Sequence, residues 1–342
     1  MKINRRSGVI NRVSAIFLLM SFMIFFSACG KEKEPGQKPA EPAAAAAEES
    51  AAGYSTEAIP ENNSENTSET AAGNDVGGTD VQAEPVETPE EEKLFEAVFL
   101  KIGKADAIIL RCGDETMVID SGEDEDGQEV LDYLAKESVP KVNVLLITHF
   151  DKDHVGGADT VVRGIEVERV LQPAYEGTAK AYSEYMQALE EEGISPENVE
   201  ETLYFDLGGA SVMVEPPASY EIPDGDDEYD NDFSLITTVE FGVGRFVLTG
   251  DIEKKRIREW LAQGDVKPCD VLKVPHHGHY TSALDEMFAA LSPQYAVICD
   301  SSKNPADGRT LDLLAKYSVE TLETKDGDIT IFCDGEQVWA QQ

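Results

Sequence analysis

The feature that most constrains this chain is a short segment in which four potential metal ligands follow an apolar run. Residues 144–147 (V-L-L-I) are typical of a buried strand. His149, Asp151, Asp153 and His154 come directly after it, and two glycines follow. Imidazole and carboxylate groups together suit Zn²⁺, Mn²⁺ or Fe²⁺. The segment therefore predicts a metal site at the end of a strand, with a solvated polar turn as the alternative.

The distribution of histidine supports a site. All five histidines fall in two short segments, His149 and His154 in the first and His276, His277 and His279 in the second. Histidines with surface or core roles alone would be scattered along the chain. The second segment also follows a predicted strand, residues 271–274. We therefore expect both segments to contribute to one metal site.

Five short motifs carry a resemblance to a known family. They are F-L-K-I-G-K-A-D-A at 99–107, V-I-D-S-G at 118–122, H-F-D-K-D-H-V-G-G at 149–157, L-T-G-D at 248–251 and V-P-H-H-G at 274–278. In this order they resemble the metallo-β-lactamase fold superfamily, and most closely the metallo-hydrolase domain of ComEC-like competence proteins. The resemblance extends from about Leu94 to the C-terminus. It implies an α/β fold, the four-layer αββα sandwich.

The resemblance also implies a role for each motif residue. His149 and Asp151 would bind the first of two metals, Asp153 and His154 the second, and Asp251 would bridge them. We assign the last metal ligand to His276 and a catalytic or substrate contact to His277, although the two could be exchanged. The catalytic set is then Asp153, Asp251 and His277, in which Asp153 could accept a proton from water. The residues expected to orient the ligands or contact substrate are Asp106, Asp120, Asn231 and Asp232.

Two departures from the superfamily pattern affect the expected metal. Most members have histidine where Asp151 stands and a further histidine before the bridging aspartate, whereas no histidine occurs here between His154 and His276. ComEC-like proteins share both features and carry an N-N-x-S pattern, matched here by N-D-F-S at 231–234. A site richer in oxygen should select Zn²⁺ less strongly. We therefore expect two divalent cations, Zn²⁺ or Mn²⁺.

The reaction implied is hydrolysis by a hydroxide activated between two metals. Phosphodiesters are the favoured substrates, either a small phosphoester or a nucleic-acid strand, as for a phosphodiesterase or nuclease. Carbonyl substrates such as lactones or lactams are one alternative, and a binding lipoprotein without activity is another. The formal net charge of −39 repels nucleic-acid phosphates, so no stable binding of duplex nucleic acid is expected. Oligomeric state is not indicated.

The N-terminal third has a different composition. Residues 1–28 combine a basic start with an apolar run typical of a signal peptide. The sequence S-A-C-G at 27–30 resembles a bacterial lipobox, which would make Cys29 a lipidated residue; a plain transmembrane anchor is the alternative. Residues 29–93 predict a disordered acidic linker rich in Ala, Pro and Ser. We therefore expect an extracytoplasmic lipoprotein anchored to the membrane.

Residues 94–342 predict the hydrolase domain, because helix-like and strand-like segments alternate there. Predicted strands include 142–148, 234–241 and 245–248, the last two forming a hairpin. The cysteines of this part, which show no C-x-x-C spacing, predict buried free thiols.

Overall fold

Short apolar runs bounded by glycine or polar turns form the strands of this protein. The structure, a computed structural model, describes residues 93–222, 229–264 and 266–342. Of the two units of the chain, 1–80 and 81–342, only the second contains described residues. The predictions for the signal peptide, Cys29 and nearly all of the linker therefore lie outside the described residues.

The described strands, in chain order, are β1 (Phe95–Phe99), β2 (Ile108–Cys112), β3 (Glu115–Ile119), β4 (Lys141–Val142), β5 (Val144–Leu146), β6 (Glu166–Val167), β7 (Val170–Pro173), β8 (Glu197–Val199), β9 (Leu203–Leu207), β10 (Ala210–Glu215), β11 (Ile236–Phe241), β12 (Gly244–Leu248), β13 (Val271–Lys273), β14 (Tyr295–Ile298), β15 (Glu320–Glu323), β16 (Ile329–Cys333) and β17 (Val338–Gln341).

The described helices are α1 (Asp126–Lys136), α2 (Lys152–Val155), α3 (Ala158–Gly164), α4 (Lys180–Glu192), α5 (Tyr229–Asp232), α6 (Lys254–Ala262), α7 (Leu284–Leu291) and α8 (Gly308–Lys316), with a 3₁₀ turn at His276–Gly278. No helix in the described part of the chain is long and apolar enough to cross a membrane.

Two large sheets form within the described residues. The first has eight strands in the order β17-β16-β1-β2-β3-β5-β7-β8, and the second has seven in the order β15-β14-β13-β12-β11-β10-β9. Each sheet is antiparallel in one part and parallel in the other: β3, β5 and β7 run parallel in the first, and β12 to β15 run parallel in the second. The carboxyl ends of parallel neighbours lie at the same edge of their sheet, where the polar motifs follow.

The apolar faces of the two sheets pack against each other. Buried side chains from both sheets form one cluster, in which Phe95 of β1 contacts Phe246 of β12 with ring centroids 4.8 Å apart. Burial of one such side chain contributes roughly 1.5–3 kcal/mol. The outer face of the first sheet packs on α1, α3 and α4, and that of the second on α6, α7 and α8. The predicted αββα sandwich is confirmed.

The chain around the first motif forms shorter strands and helices than predicted. The single strand expected at 142–148 is divided into β4, which pairs with β6, and β5, which joins the first sheet. The short helices α2 and α3 were not predicted, because they are too short to show helical periodicity. Gly157 lies between the two helices, and a Cβ atom there would lie 2.3 Å from the carbonyl oxygen of Ser121. The glycine permits this close backbone approach.

Other predicted features agree with the structure. The predicted hairpin of β11 and β12 turns at Gly242. The four cysteines of the described part are buried free thiols, as predicted: Cys112, Cys269, Cys299 and Cys333.

Candidate metal centre

Four strand ends deliver the polar motifs to one place. Asp120 directly follows β3, and the segment of His149 follows its parallel neighbour β5. In the second sheet, Asp251 follows β12 and His277 follows the parallel neighbour β13. The two sheets face each other, so these ends meet across the sandwich. Groups far apart in the chain thus form one cluster.

The centre of the cluster is the carboxylate of Asp251. Its Oδ2 atom lies 3.2 Å from Nε2 of His154 and 3.1 Å from Nε2 of His277. Nε2 of His277 is also 3.5 Å from Oδ2 of Asp153. Within the first histidine segment, Nε2 of His149 lies 3.8 Å from Oδ2 of Asp151. Asp251 therefore lies between imidazoles from both segments, the position expected of a bridging ligand.

The tautomers of two histidines follow from their hydrogen bonds. Nδ1 of His154 is 2.8 Å from Oδ2 of Asp120, and Nδ1 of His277 is 2.8 Å from the carbonyl oxygen of Cys299. A carboxylate and a carbonyl can only accept, so each Nδ1 donates its proton. In the neutral imidazole, Nε2 then carries a lone pair. Both lone pairs face Asp251.

The tautomer of His149 follows by the same reasoning. The hydroxyl of Thr148 donates its proton to Oδ2 of Asp120 over 2.7 Å. The same hydroxyl oxygen lies 3.0 Å from Nδ1 of His149 and can only accept there. Nε2 of His149 therefore also carries the lone pair. Asp120 thus orients His154 directly and His149 through Thr148.

The hydrogen bonding of the imidazole Nε2 atoms shows whether the site fits metal ions. The Nε2 atoms of His149, His154 and His277 are buried and have no hydrogen-bond partner among the described residues. Lone pairs that face a carboxylate at about 3 Å repel it unless a cation lies between them. Candidate ligand sets are His149, His154 and Asp251 on one side, and Asp153, His154 and His277 on the other. The donor set therefore fits divalent cations.

Buried charge leads to the same conclusion. Lys273 is fully buried, forms an ion pair with Asp106, and lies with Nζ 3.0 Å from Oδ1 of Asp251. This lysine engages Oδ1 and leaves Oδ2 of Asp251 to the histidines. Asp106, Asp120 and Asp251 are all buried around the single buried lysine of the cluster. Negative charge is therefore in excess until cations bind.

The pKa values respond to this excess. Burial alone would lower the pKa of His154, but Asp251, Asp120 and Asp106 together raise it well above the ordinary histidine value. Burial would likewise raise the pKa of Asp251, whereas His277, Lys273 and His154 hold it well below the ordinary value. Without metal, protons on His154 and His277 compensate the carboxylates, whereas burial and the charge of His154 lower the pKa of His149. A divalent cation competes for the same lone pairs.

Asp151 has a different environment. Its side chain is 45% exposed, and burial of the remainder, together with Asp230, raises its pKa to about 6. Asp151, predicted to bind the first metal, is therefore accessible to solvent and belongs to none of the candidate ligand groups of the described residues.

The structure distinguishes the two adjacent histidines. His277 lies in the cluster, whereas Nδ1 of His276 lies 2.9 Å from Oε1 of Glu253, outside it. His276, predicted as the last metal ligand, therefore lies outside the cluster, and His277 takes that position. Both residues have positive φ, 48° and 50°, which costs roughly 1–2 kcal/mol each in a non-glycine residue. This strained turn sends neighbouring imidazoles to different partners.

The segment at 231–234 lies beside the cluster, and Asp232 there has a role different from the predicted one. Oδ1 of Asp232 accepts hydrogen bonds from the backbone N–H groups of Glu253 and Arg256, at 3.2 and 3.3 Å. Its carboxylate thus binds the N-terminal backbone of α6. Asn231 is buried on α5, and its Oδ1 atom has no hydrogen-bond partner among the described residues.

Two residues of the site were not predicted. Ser234 accepts a hydrogen bond from the backbone N–H of Asp251 over 3.1 Å and lies 3.3 Å from Nδ1 of His149. The serine of the N-D-F-S pattern at 231–234 was the sequence feature that could have indicated it. Lys273 lies in an otherwise apolar run before the second histidine segment. A lysine inside a buried strand indicates a carboxylate partner.

Comparisons with known proteins agree with this geometry. The profile of the Metallo-beta-lactamase superfamily matches residues 101–299. ComE operon protein 3 of Bacillus subtilis (strain 168) is 30% identical over 202 residues, 58% of this chain and 25% of that protein. Recombination protein 2 of Haemophilus influenzae is 26% identical over 185 residues, 52% of this chain and 20% of that protein. The chain thus spans a quarter or less of these relatives.

A solved structure of a metal-dependent hydrolase of the beta-lactamase superfamily is 14% identical, with a TM-score of 0.48, covering 68% of this chain and 98% of that one. The superfamily profile spans more than half of the chain and includes every residue of the cluster, from Asp106 to His277. The chain therefore belongs to the metallo-β-lactamase superfamily of metal-dependent hydrolases.

Proposed function

We propose that the protein is a divalent-metal-dependent phosphodiesterase that acts on a small phosphodiester or a single nucleic-acid strand. The observation that carries the proposal is a lysine beside the metal cluster at the edge of an open cleft. Nζ of Lys104 lies 3.5 Å from Oδ2 of Asp153. The cleft that both residues line has a volume of about 830 Å³. It can hold a substrate larger than one phosphate group.

Charge in the cleft distinguishes Lys104 from its neighbours. Lys152 forms an ion pair with Glu123 at 2.8 Å, and Lys180 forms one with Glu184 at 2.5 Å. Lys104 instead faces a ligand of the metal cluster, with its side chain 35% exposed. We propose that an anionic phosphodiester gains its attraction from Lys104 and the metal ions, against the carboxylates that also line the cleft. A neutral ester has no net charge for Lys104 to attract.

Two metal ions, Zn²⁺ or Mn²⁺, would supply Lewis-acid polarisation of a phosphoryl oxygen and a nucleophilic water at neutral pH. The residues of the chain hold the reacting groups. His277 and His154 with Asp251 would fix the cations, and Lys104 would bind a phosphate oxygen. Burial would raise the pKa of Asp153, but the charges of His154 and His277 hold it below the ordinary value. Asp153 therefore stays charged, as a ligand requires.

The relatives support a nucleic-acid strand within this substrate class. One of them is named Recombination protein 2, and recombination acts on strands joined by phosphodiester bonds. The acidic composition of the chain favours brief contact at the cleft over stable binding of a duplex.

The test is hydrolysis of bis(p-nitrophenyl) phosphate by the full chain, stripped of metal and then titrated with Mn²⁺ or Zn²⁺. We expect metal-dependent turnover that Lys104→Gln weakens about tenfold through KM, the loss of one charge contact of about 1.4 kcal/mol. p-Nitrophenyl acetate serves as the neutral substrate, and the exposed Lys136→Gln on α1 is the matched control. Turnover of the acetate alone by the fully metallated protein would contradict the proposal and favour carbonyl substrates.

We also propose that the enzyme is anchored outside the cytoplasmic membrane through a lipid on Cys29. The proposal rests on the basic and apolar pattern of residues 1–28 and on the S-A-C-G sequence that follows. Such an anchor would hold the catalytic domain near substrates at the cell surface. Expression in a bacterium fed labelled palmitate should label the native chain, and Cys29→Ser should abolish the label. Equal labelling of both chains would contradict the anchor.

A further inference from the structure

A second group of metal-ligating side chains lies outside the central cluster. It consists of Glu253, His276 and His279, whose ligand atoms lie within 4.8 Å of one another. Nδ1 of His276 is 2.9 Å from Oε1 of Glu253, and Nδ1 of His279 is 4.0 Å from the same oxygen. The rings of the two histidines are perpendicular, with centroids 5.0 Å apart. Two imidazoles and one carboxylate thus converge on one point.

The backbone that presents this group is fixed on both sides. His276 begins the 3₁₀ turn and His279 follows it, and the backbone N–H of His279 donates to the carbonyl oxygen of His276 over 2.7 Å. The left-handed backbone at His276 and His277 allows His277 to enter the central cluster while His276 contacts Glu253. The backbone N–H of Glu253 is held by Asp232. The convergence therefore does not depend on a flexible loop.

Nδ1 of His276 and Oε1 of Glu253 form a hydrogen bond, and the spacing of the three groups also fits a metal site. Ligands about 2.1 Å from a tetrahedral zinc ion lie about 3.4 Å apart, between the two distances above. The side chain of His279 is 60% exposed and could extend into solvent, yet it lies near the same carboxylate oxygen.

We propose that Glu253, His276 and His279 form a third divalent-metal site beside the central cluster. Its two imidazoles favour Zn²⁺, Ni²⁺ or Co²⁺ over Mg²⁺ and Ca²⁺, which prefer all-oxygen sets. Three protein ligands leave an open position for water or an anionic group. The side chains of His276 and Glu253 are 21% and 32% exposed, so that position faces solvent. The site does not depend on the phosphodiesterase proposal, since its ligands are separate from those of the central cluster.

The test is Zn²⁺ binding by the full chain, with bound metal counted after dialysis and affinity measured against a chelating dye. We expect three equivalents for the native chain. His279→Ala should bind two tightly, and the third at least about a hundredfold more weakly, because a ligand matters at least as much as the groups that orient it. Glu253→Gln should show the same loss. Tyr280→Phe, next to the site, is the matched control and should retain all three.

Asp251→Asn separates the two sites, because it alters the central cluster and leaves these three ligands intact. It should still bind one equivalent that His279→Ala then removes. Since His279 is exposed, its replacement should not impair folding, which circular dichroism would check. Equal stoichiometry and affinity for native and His279→Ala chains would overturn the proposal.

Discussion

Replacing Asp251 with asparagine is expected to reduce metal-dependent phosphodiester hydrolysis by more than about a thousandfold, or about 4 kcal/mol of transition-state stabilisation. Oδ2 of Asp251 lies 3.2 and 3.1 Å from Nε2 of His154 and His277. The substitution removes the negative charge at the one atom that faces both imidazoles. An amide retains an oxygen that can accept from Lys273, so the fold should be preserved.

The measurement is kcat/KM for bis(p-nitrophenyl) phosphate beside metal content per chain. Asp114→Asn, in the exposed turn between β2 and β3, is the matched control and should leave both quantities unchanged. Loss of activity with no loss of central metal would assign Asp251 a role other than ligand. Unchanged activity would show that hydrolysis does not use this cluster.

Replacing Lys273 with methionine is expected to destabilise the metal-free protein by about 3–5 kcal/mol. The ammonium group is fully buried and forms ion pairs with Asp106 and Asp251. Methionine fills a similar volume but leaves two buried carboxylates without their cation. Saturating Zn²⁺ should reduce this loss, because metal bound only by the folded state stabilises it and supplies positive charge.

Urea unfolding with EDTA and with Zn²⁺ would measure both effects. Lys136→Met is the control, because Lys136 is 75% exposed and its contact with Glu137 is at the surface, where such pairs contribute about 0–1 kcal/mol. If Lys273→Met were as stable as the control without metal, the proposed compensation of Asp106 and Asp251 by this lysine would be wrong.

Much of the fold could be predicted from local pattern. The hairpin of β11 and β12, the long helix α4 and the terminal strands are short-range features, with turn glycines and apolar periodicity that act over neighbouring residues. The short helices α2 and α3 could not be predicted. They depend on close packing of Gly157 against the backbone near Ser121, a contact between segments far apart in the chain.

The sequence by itself determined the superfamily, the residue types of the metal site and the strands that end at it, because ligand identity and apolar runs are local properties. Only the tertiary structure decided between His276 and His277, since the choice depends on a left-handed turn that sends one imidazole to Asp251 and the other to Glu253. It also placed Lys273 against Asp106 and gave Asp232 a helix-binding role. These are long-range contacts, and burial on folding selects the partners that compensate each charge.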